Sequence, residues 1–391
     1  MGKHIIIGAG KIGRGFIAQL LYRRGEEFCF IEKSPEFGRM LNEAGYYHVH
    51  VLGDPAKDST IRGIPVLGYD QTERIREKVG EADVIYTCVG GKNLHEVAGL
   101  LAVAIRSRLE SGNTQVFNVI TCENWQQPAE LLRNSIREEM QGLEKEFEER
   151  VGFAESVILR SGIECPGDPL AVNAQDYWKL PVNAAKIKGK LPELPEFELM
   201  NDFDGFLERK FYTYNAANGT VSYMGTLMGY QHICEAAHDP WILKNLHGVY
   251  EETSLALCHK QQFPLEKQYE FVGTSLAKLQ NETLVDTLER NARDPIRKLS
   301  PSDRLLGPAL MGYEYGIKPE HLCLSIAAAI YYESPSAEDE SAARLKAMRR
   351  EGGPKRVLQD VCGLDQSHEL FGMILRQVEV LREKGLIQDG E

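Results

Sequence analysis

Gly8, Gly10 and Gly13 follow the apolar run His4-Ile5-Ile6-Ile7, and a second apolar run, Phe28-Cys29-Phe30-Ile31, ends in Glu32. Residue types in this order hold a dinucleotide. In the turn Gly8-Ala9-Gly10-Lys11-Ile12-Gly13 the first glycine permits the bend and the second lets the backbone approach a pyrophosphate. The third lets the following helix lie close on the sheet. Glu32 is placed to accept hydrogen bonds from the adenosine ribose and to repel a ribose phosphate, so the expected cofactor is NAD rather than NADP, although Lys33 stands beside it. The Val89-Gly90 turn, after a further apolar run, is expected to add cofactor contacts.

A second group could move a proton. Glu208-Arg209-Lys210-Phe211-Tyr212-Thr213-Tyr214-Asn215 places Lys210 among aromatic residues, where burial disfavours its charged form and brings it toward the range of a general base. Asn215 and Asn218, three residues apart, could direct amide donors at one substrate oxygen. On an unbroken α-helix, ~1.5 Å of rise per residue sets Asn218 about 12 Å beyond Lys210, so convergence requires a break or turn near Tyr214. A plainer reading is open to the same residues: a snorkelling Lys210 on a helix surface, and Asn215 as an N-cap engaged by the backbone. Arg290, Arg293, Arg297, Lys298 and Arg304 form a basic stretch suited to a phosphate. They could equally balance Asp286, Glu289 and Asp294 on the surface.

The elements that must position these residues fall into two kinds. Strands alternate with helices from His4 to Cys122, with helices expected over Ile12–Leu21, Phe37–Glu43, Asp70–Val79 and Leu94–Leu109. Tyr46 to Val51 alternates as a strand with one polar face. This βα order predicts a mostly parallel sheet that binds its cofactor at the strands' carboxyl ends. From Cys165 to Pro195 the pattern loosens into short strands and Pro/Gly turns, and beyond Asp202 helical periodicity takes over. The expected architecture is α/β plus all-α: a Rossmann dinucleotide-binding domain over residues 1–195, then a mostly helical substrate-binding and catalytic domain over 196–391.

At 391 residues the chain suits two domains of roughly 150–200 residues each. A net charge of −12 argues against nucleic-acid binding. No apolar run approaches the ~20 residues of a membrane span, and no leader precedes the first strand. The eight cysteines are scattered without metal-knuckle spacing and read as reduced residues of a cytoplasmic protein. A monomer or small homo-oligomer is expected.

Taken together, Gly8-Ala9-Gly10-Lys11-Ile12-Gly13-Arg14-Gly15-Phe16-Ile17, His48-Val49-His50-Val51, Cys122-Glu123-Asn124, Glu208-Arg209-Lys210, Asn215, Arg297-Lys298-Leu299-Ser300 and Asp303-Arg304-Leu305 resemble the polyol-specific long-chain dehydrogenases/reductases, the mannitol dehydrogenase family. The likeness runs over nearly the whole chain, and the short start before the first strand matches the branch that acts on mannitol phosphate. It implies Lys210 as general base, Asn215 as a substrate-oxygen ligand and Asn124 as a residue that orients substrate and lysine. Two positions depart. Asn218 stands where the family has a histidine, and Leu159-Arg160-Ser161 stands where it has Asp-Arg-Ile. Loss of one preorganised donor costs roughly two to three orders of magnitude in rate, which slows hydride transfer without abolishing it.

The resemblance therefore implies interconversion of a sugar phosphate and a polyol phosphate, fructose 6-phosphate and mannitol 1-phosphate or a close relative, with Arg297, Lys298 and Arg304 on the substrate. Two alternatives are a related enzyme of another polyol or hexuronate, and a catalytically weak NAD-binding protein. His232, His238, His247 and His259, or His48 with His50, offer no compact ligand set with a carboxylate, so no metal is expected. No Ser/His/Asp elbow or Walker loop occurs. The β-hydroxyacid dehydrogenases set lysine and asparagine one helical turn apart, unlike the five-residue spacing of Lys210 and Asn215.

Overall fold

The computed structural model describes residues 2–388. Two compact units divide the chain, Met1–Phe203 and Asp204–Glu391. The first contains β1 (Lys3–Ile7), β2 (Glu27–Glu32), β3 (Tyr46–Leu52), β4 (Ser59–Arg62), β5 (Val66–Gly68), β6 (Val84–Thr87), β7 (Phe117–Thr121), β8 (Val151–Glu155), β9 (Gly162–Cys165), β10 (Asp168–Gln175), β11 (Leu180–Asn183) and β12 (Phe197–Met200). Its helices are α1 (Ala18–Arg23), α2 (Pro35–Ala44), α3 (Thr72–Glu81), α4 (Leu94–Glu110), α5 (Pro128–Arg137) and α6 (Glu144–Arg150).

A six-stranded parallel sheet in the order β5-β2-β1-β6-β7-β8 forms the frame. Its central strands are apolar on both faces because helices cover both, so Ile5, Ile6 and Ile7 are buried without alternation. Register decides where the chemistry lies. Ile7 pairs with Ile31 and with Thr87, and Thr87 pairs with Thr121. Gly8, Glu32, Cys88 and Cys122 therefore emerge along one carboxyl edge, where an open parallel sheet binds its ligand.

The 46–52 strand leaves this sheet. β3 pairs antiparallel with β4 and parallel with β10 in a second sheet ordered β4-β3-β10-β9. Tyr47, Val49 and Val51 face inward, and His48 and His50 face outward. The first unit continues to Phe203, past the boundary expected at residue 195, because β12 pairs in parallel with β11 and belongs to this layer.

The second unit is helical: α7 (Phe203–Lys210), α8 (Ala216–Leu227), α9 (Ile233–His238), α10 (Pro240–Gln261), α11 (Leu265–Leu279), α12 (Leu288–Ala292), α13 (Pro295–Lys298), α14 (Leu306–Glu314), α15 (Glu320–Ile330), α16 (Glu340–Asp360) and α17 (Glu369–Glu383). Burial around the circumference of α15 explains its apolar Leu322–Ile330 run, and α8, α10 and α17 pack on it. The buried carboxylate of Glu252 accepts from the backbone N–H groups of His321 (2.8 Å) and Leu322 (3.0 Å), fixing the start of α15. Thr220 on α8 donates to Ser325 on α15 at 3.0 Å, so the helix carrying Asn218 is tied to the core. Among the described residues no helix is long and apolar enough to cross a membrane.

Candidate active site

In the first unit the glycine turn has a form that only its glycines allow. Gly8 has φ +94°, and a Cβ there would lie 2.5 Å from the Cys88 carbonyl oxygen. A Cβ on Gly13 would run into the Gly8 carbonyl. At Gly10 the nearest atom to a Cβ is 3.8 Å away, so the protein itself leaves that space open and glycine clears it for something else. The helix that follows begins with a π-turn over Gly13–Ile17 before continuing as α1.

Glu32 is held toward this turn. One carboxylate oxygen accepts from Ala9 N and the other from Ser34 N, each at 2.8 Å. A carboxylate offers about four lone-pair sites, so each oxygen keeps capacity for a ribose hydroxyl. Lys33 pairs with Glu96 at 2.6 Å and Arg76 with Glu73 at 2.9 Å, so both nearby cations are engaged by carboxylates, while Glu32 has no ion pair with a described residue. Tyr69, pushed up to about 12 by burial and by Glu32 and Glu96, borders a cavity of about 320 Å³ between α3 and α4. Ile75, Leu100, Val103 and Ala104 give it an apolar lining suited to a purine. These features fit a dinucleotide with an unphosphorylated adenosine ribose. Lys11 lies at the exposed rim, where it pairs with Glu164 at 3.1 Å.

Val89 and Gly90 differ from expectation. Their backbone N–H groups donate to Glu123 at 2.9 and 2.8 Å, so they are not free donors for a cofactor. Glu123 is buried, which raises its carboxyl affinity for protons while the two N–H bonds oppose that rise. Its part is to fix the loop after β6. In the sequence it is marked as an acid that ends a buried strand and as part of Cys122-Glu123-Asn124, but neither signal gives its loop-fixing part. Asn124, the next residue, is exposed at the end of β7 and makes no hydrogen bond to a described residue.

Near Tyr214, where convergence requires a break or turn, the helix does not break but widens into a π-turn at Phe211–Asn215 between α7 and α8. In α geometry a five-residue step rotates ~500°, leaving Asn215 about 140° from Lys210. A π-turn closes i to i+5 and brings that pair roughly onto one face. Packing fixes this wider turn. Phe211 lies 5.4 Å beneath the Arg304 guanidinium, Tyr214 packs on Phe271 at 4.9 Å, and Thr213 Oγ1 accepts from Gln268 at 2.9 Å. Asn215 has helical φ/ψ and no capping bond, so the N-cap reading fails.

Lys210 is half-buried, and its ammonium forms no hydrogen bond or ion pair with a described residue. Burial brings it down to about 8, and the positive charges of Lys278 and Arg304 push the same way. Lys278 on α11 is itself lowered to about 8 by burial. It reads as an ordinary lysine on an amphipathic helix, and nothing in the sequence singles it out.

Asn218 donates through Nδ2 to Asn291 Oδ1 at 3.0 Å. The direction is fixed, because Asn291 Nδ2 donates to the Thr287 carbonyl at 2.9 Å and must present its oxygen to Asn218. One donor expected for substrate is therefore engaged, and the Asn218 oxygen remains. The basic stretch divides. Arg290 and Arg293 make exposed i,i+4 ion pairs with Asp286 (2.7 Å) and Glu289 (3.4 Å) and serve the surface. Buried Asp303 takes Arg297 at 2.8 Å and Arg304 Nε at 2.9 Å, and Arg297 also pairs with Asp294 at 2.6 Å. Held by Nε, the Arg304 fork has both terminal nitrogens without a described hydrogen-bond partner. Lys298 is buried and donates to the Asn291 carbonyl at 2.5 Å.

Where an aspartate was expected, Leu159 is a core residue, and Arg160 beside it donates to Gln19 at 2.7 Å and lies over Trp178. His48 and His50 bond Thr60 and Asp58, and His259 packs at a tilt on Tyr315. Among the described residues no group of three His, Cys, Asp or Glu side chains could hold a metal.

A dinucleotide-binding Rossmann unit and a helical unit bearing a lowered lysine define a hydride-transferring oxidoreductase. The family model for the mannitol dehydrogenase Rossmann domain matches residues 3–196, and that for the mannitol dehydrogenase C-terminal domain matches residues 202–382. The chain belongs to the mannitol dehydrogenase family, NAD-dependent oxidoreductases of CH–OH groups. It is 31% identical over 378 residues to mannitol-1-phosphate 5-dehydrogenase of Brevibacillus brevis, covering 96% of this chain and 97% of that protein. Its fold is similar to a substrate-free D-sorbitol dehydrogenase (TM-score 0.81, 17% identity, 98% of this chain and 93% of the other). It is also similar to Pseudomonas fluorescens mannitol 2-dehydrogenase in a ternary complex with NAD and D-mannitol (TM-score 0.72, 16% identity, 98% and 92%).

Proposed function

We propose that this protein interconverts a ketose phosphate and a polyol phosphate, fructose 6-phosphate and mannitol 1-phosphate or a close relative, in the cytoplasm as a monomer or small homo-oligomer. The observation that carries this reading is a lowered Lys210 that has no counter-ion among the described residues and feels the charge of Arg304, whose terminal nitrogens, like two of the Lys298 hydrogens, have no described partner. Such a set calls for an anionic substrate. The likeness to the Brevibacillus protein over both chains supports the same class.

NAD, when bound, supplies the hydride acceptor or donor. Gly8, Ala9, Gly10, Lys11, Ile12 and Gly13 would hold its pyrophosphate, and Glu32 would take the ribose hydroxyls. Val89 and Gly90 shape the adjoining loop through Glu123. In polyol oxidation the Lys210 amine removes the hydroxyl proton as the C–H pair leaves with its electrons and the C=O bond forms. In reduction its ammonium returns that proton to the oxygen. Asn215, on the same face, steadies the reacting oxygen, Asn218 bounds the pocket, and Asn124 orients substrate. Arg297, Lys298 and Arg304 receive the phosphate.

A hexuronate is the second reading, because a carboxylate would satisfy the same cations. NADH oxidation followed spectrophotometrically with ketose phosphates, free ketoses and ketouronates separates the two. Turnover confined to free ketoses would defeat both.

A further inference from the structure

Lys298 is a buried cation built without a counter-ion. Its side chain is enclosed on α13, and its one hydrogen bond, 2.5 Å to the Asn291 carbonyl, goes to a neutral acceptor. The carboxylates nearby are already taken. Asp303 holds Arg297 and Arg304, Asp294 holds Arg297, and Asp339 of the packed helix α16 caps its own helix and takes the Asp294 N–H. The charged groups acting on Lys298 are therefore Arg304 and Arg297, which oppose its charge, and the engaged Asp294 and Asp303, which favour it. Two of the three Nζ hydrogens and the terminal nitrogens of Arg304 remain for a ligand.

We propose that Lys298 takes up a proton from solvent when an anion binds beside it, so that the pocket recognises a tetrahedral dianion together with that proton. Resting on the phosphate-site reading above, the inference adds how the charge is managed. Without a ligand, desolvation and the two guanidinium groups favour the neutral amine, and burial lowers Lys298 to about 7. A dianion reverses the balance by supplying the missing counter-charge, and ammonium replaces amine. The pocket thereby avoids holding an uncompensated buried charge between turnovers.

Sulfate is the probe, because it stays dianionic from pH 6 to 9 where phosphate titrates. Calorimetric titration of the full protein at pH 8, in buffers of different ionisation enthalpy, should give a heat that varies linearly with that enthalpy. The slope expected is about 0.9 proton per sulfate, since an amine lowered to about 7 is roughly one-eleventh protonated at pH 8. Affinity should fall toward tenfold per pH unit above 7. Lys298→Arg, always charged, should bind sulfate with no proton slope, and Lys298→Met should weaken binding at least tenfold. Absence of sulfate binding, binding without proton uptake, or uptake surviving in Lys298→Met would overturn the proposal. Uptake on sulfate by a protein that turns over no ketose phosphate would sink the functional reading alone. Turnover of a ketose phosphate with no uptake would sink this inference alone.

Discussion

Replacing Lys210 separates proton transfer from cofactor binding. An ordinary lysine, at 10.5, is neutral in about 0.03% of molecules at pH 7, whereas one lowered to about 8 is neutral in about 9%. Burial, helped by the charges of Lys278 and Arg304, thus enlarges the population of usable base roughly 300-fold. The sign follows from which form works. Polyol oxidation needs the amine, so kcat/KM should rise with pH and level off above about 8; ketose reduction needs the ammonium and should fall across the same range. Lys210→Met should lower turnover by roughly 10²–10⁴-fold, the usual contribution of a positioned base, and remove that limb from the profile. NADH affinity, measured by fluorescence titration, should be nearly unchanged, because the glycine turn and Glu32 belong to the first unit. A limb near 8 that persists in Lys210→Met, or a native limb near 10, would refute the reasoning.

Three further expectations concern the surrounding residues. Glu32→Gln should weaken NADH by roughly tenfold or more, as expected for lost charge-assisted hydrogen bonds, and improve NADPH; equal affinity of the native protein for both cofactors would contradict the role given to Glu32. Glu123→Gln places an amide donor against a backbone N–H, which should cost roughly 1–3 kcal/mol and lower the melting temperature by several degrees while weakening NADH. Calorimetry showing no loss would contradict the loop-fixing role. Asn218→His should preserve or raise activity on mannitol 1-phosphate, because one ring nitrogen can donate to Asn291 Oδ1 and leave the other for substrate. A fall in activity on that compound would mean the pocket is shaped for another substrate.

Much of this was legible in the residues because single local rules govern it. The glycine turn, the acid at the tip of β2 and the continuous apolar strands each follow from backbone sterics or two-sided burial, and each stands where its spacing implies. Segments whose form depends on distant partners were not legible. The alternation of Tyr46–Leu52 reveals a strand but not that β10, far along the chain, pairs with it. A π-turn at Phe211–Asn215 answers to Arg304, Phe271 and Gln268, so helical rise alone could ask for a break or turn near Tyr214 without giving its form. Division of the arginines into surface pairs and a cluster on Asp303 depends on the burial of that aspartate, which no local pattern announces.

The central claim is that an NAD-dependent enzyme of this family uses an anion-holding pocket and Lys210 to reduce a phosphorylated ketose. Its most direct test compares initial rates of NADH oxidation with fructose 6-phosphate and with fructose for the native protein and for Arg304→Met. The account predicts turnover of fructose 6-phosphate well above fructose, with a KM for the phosphate ester that rises at least tenfold in Arg304→Met, as expected for a lost charge-assisted contact. Equal rates on the two sugars, or a KM indifferent to Arg304→Met, would contradict it.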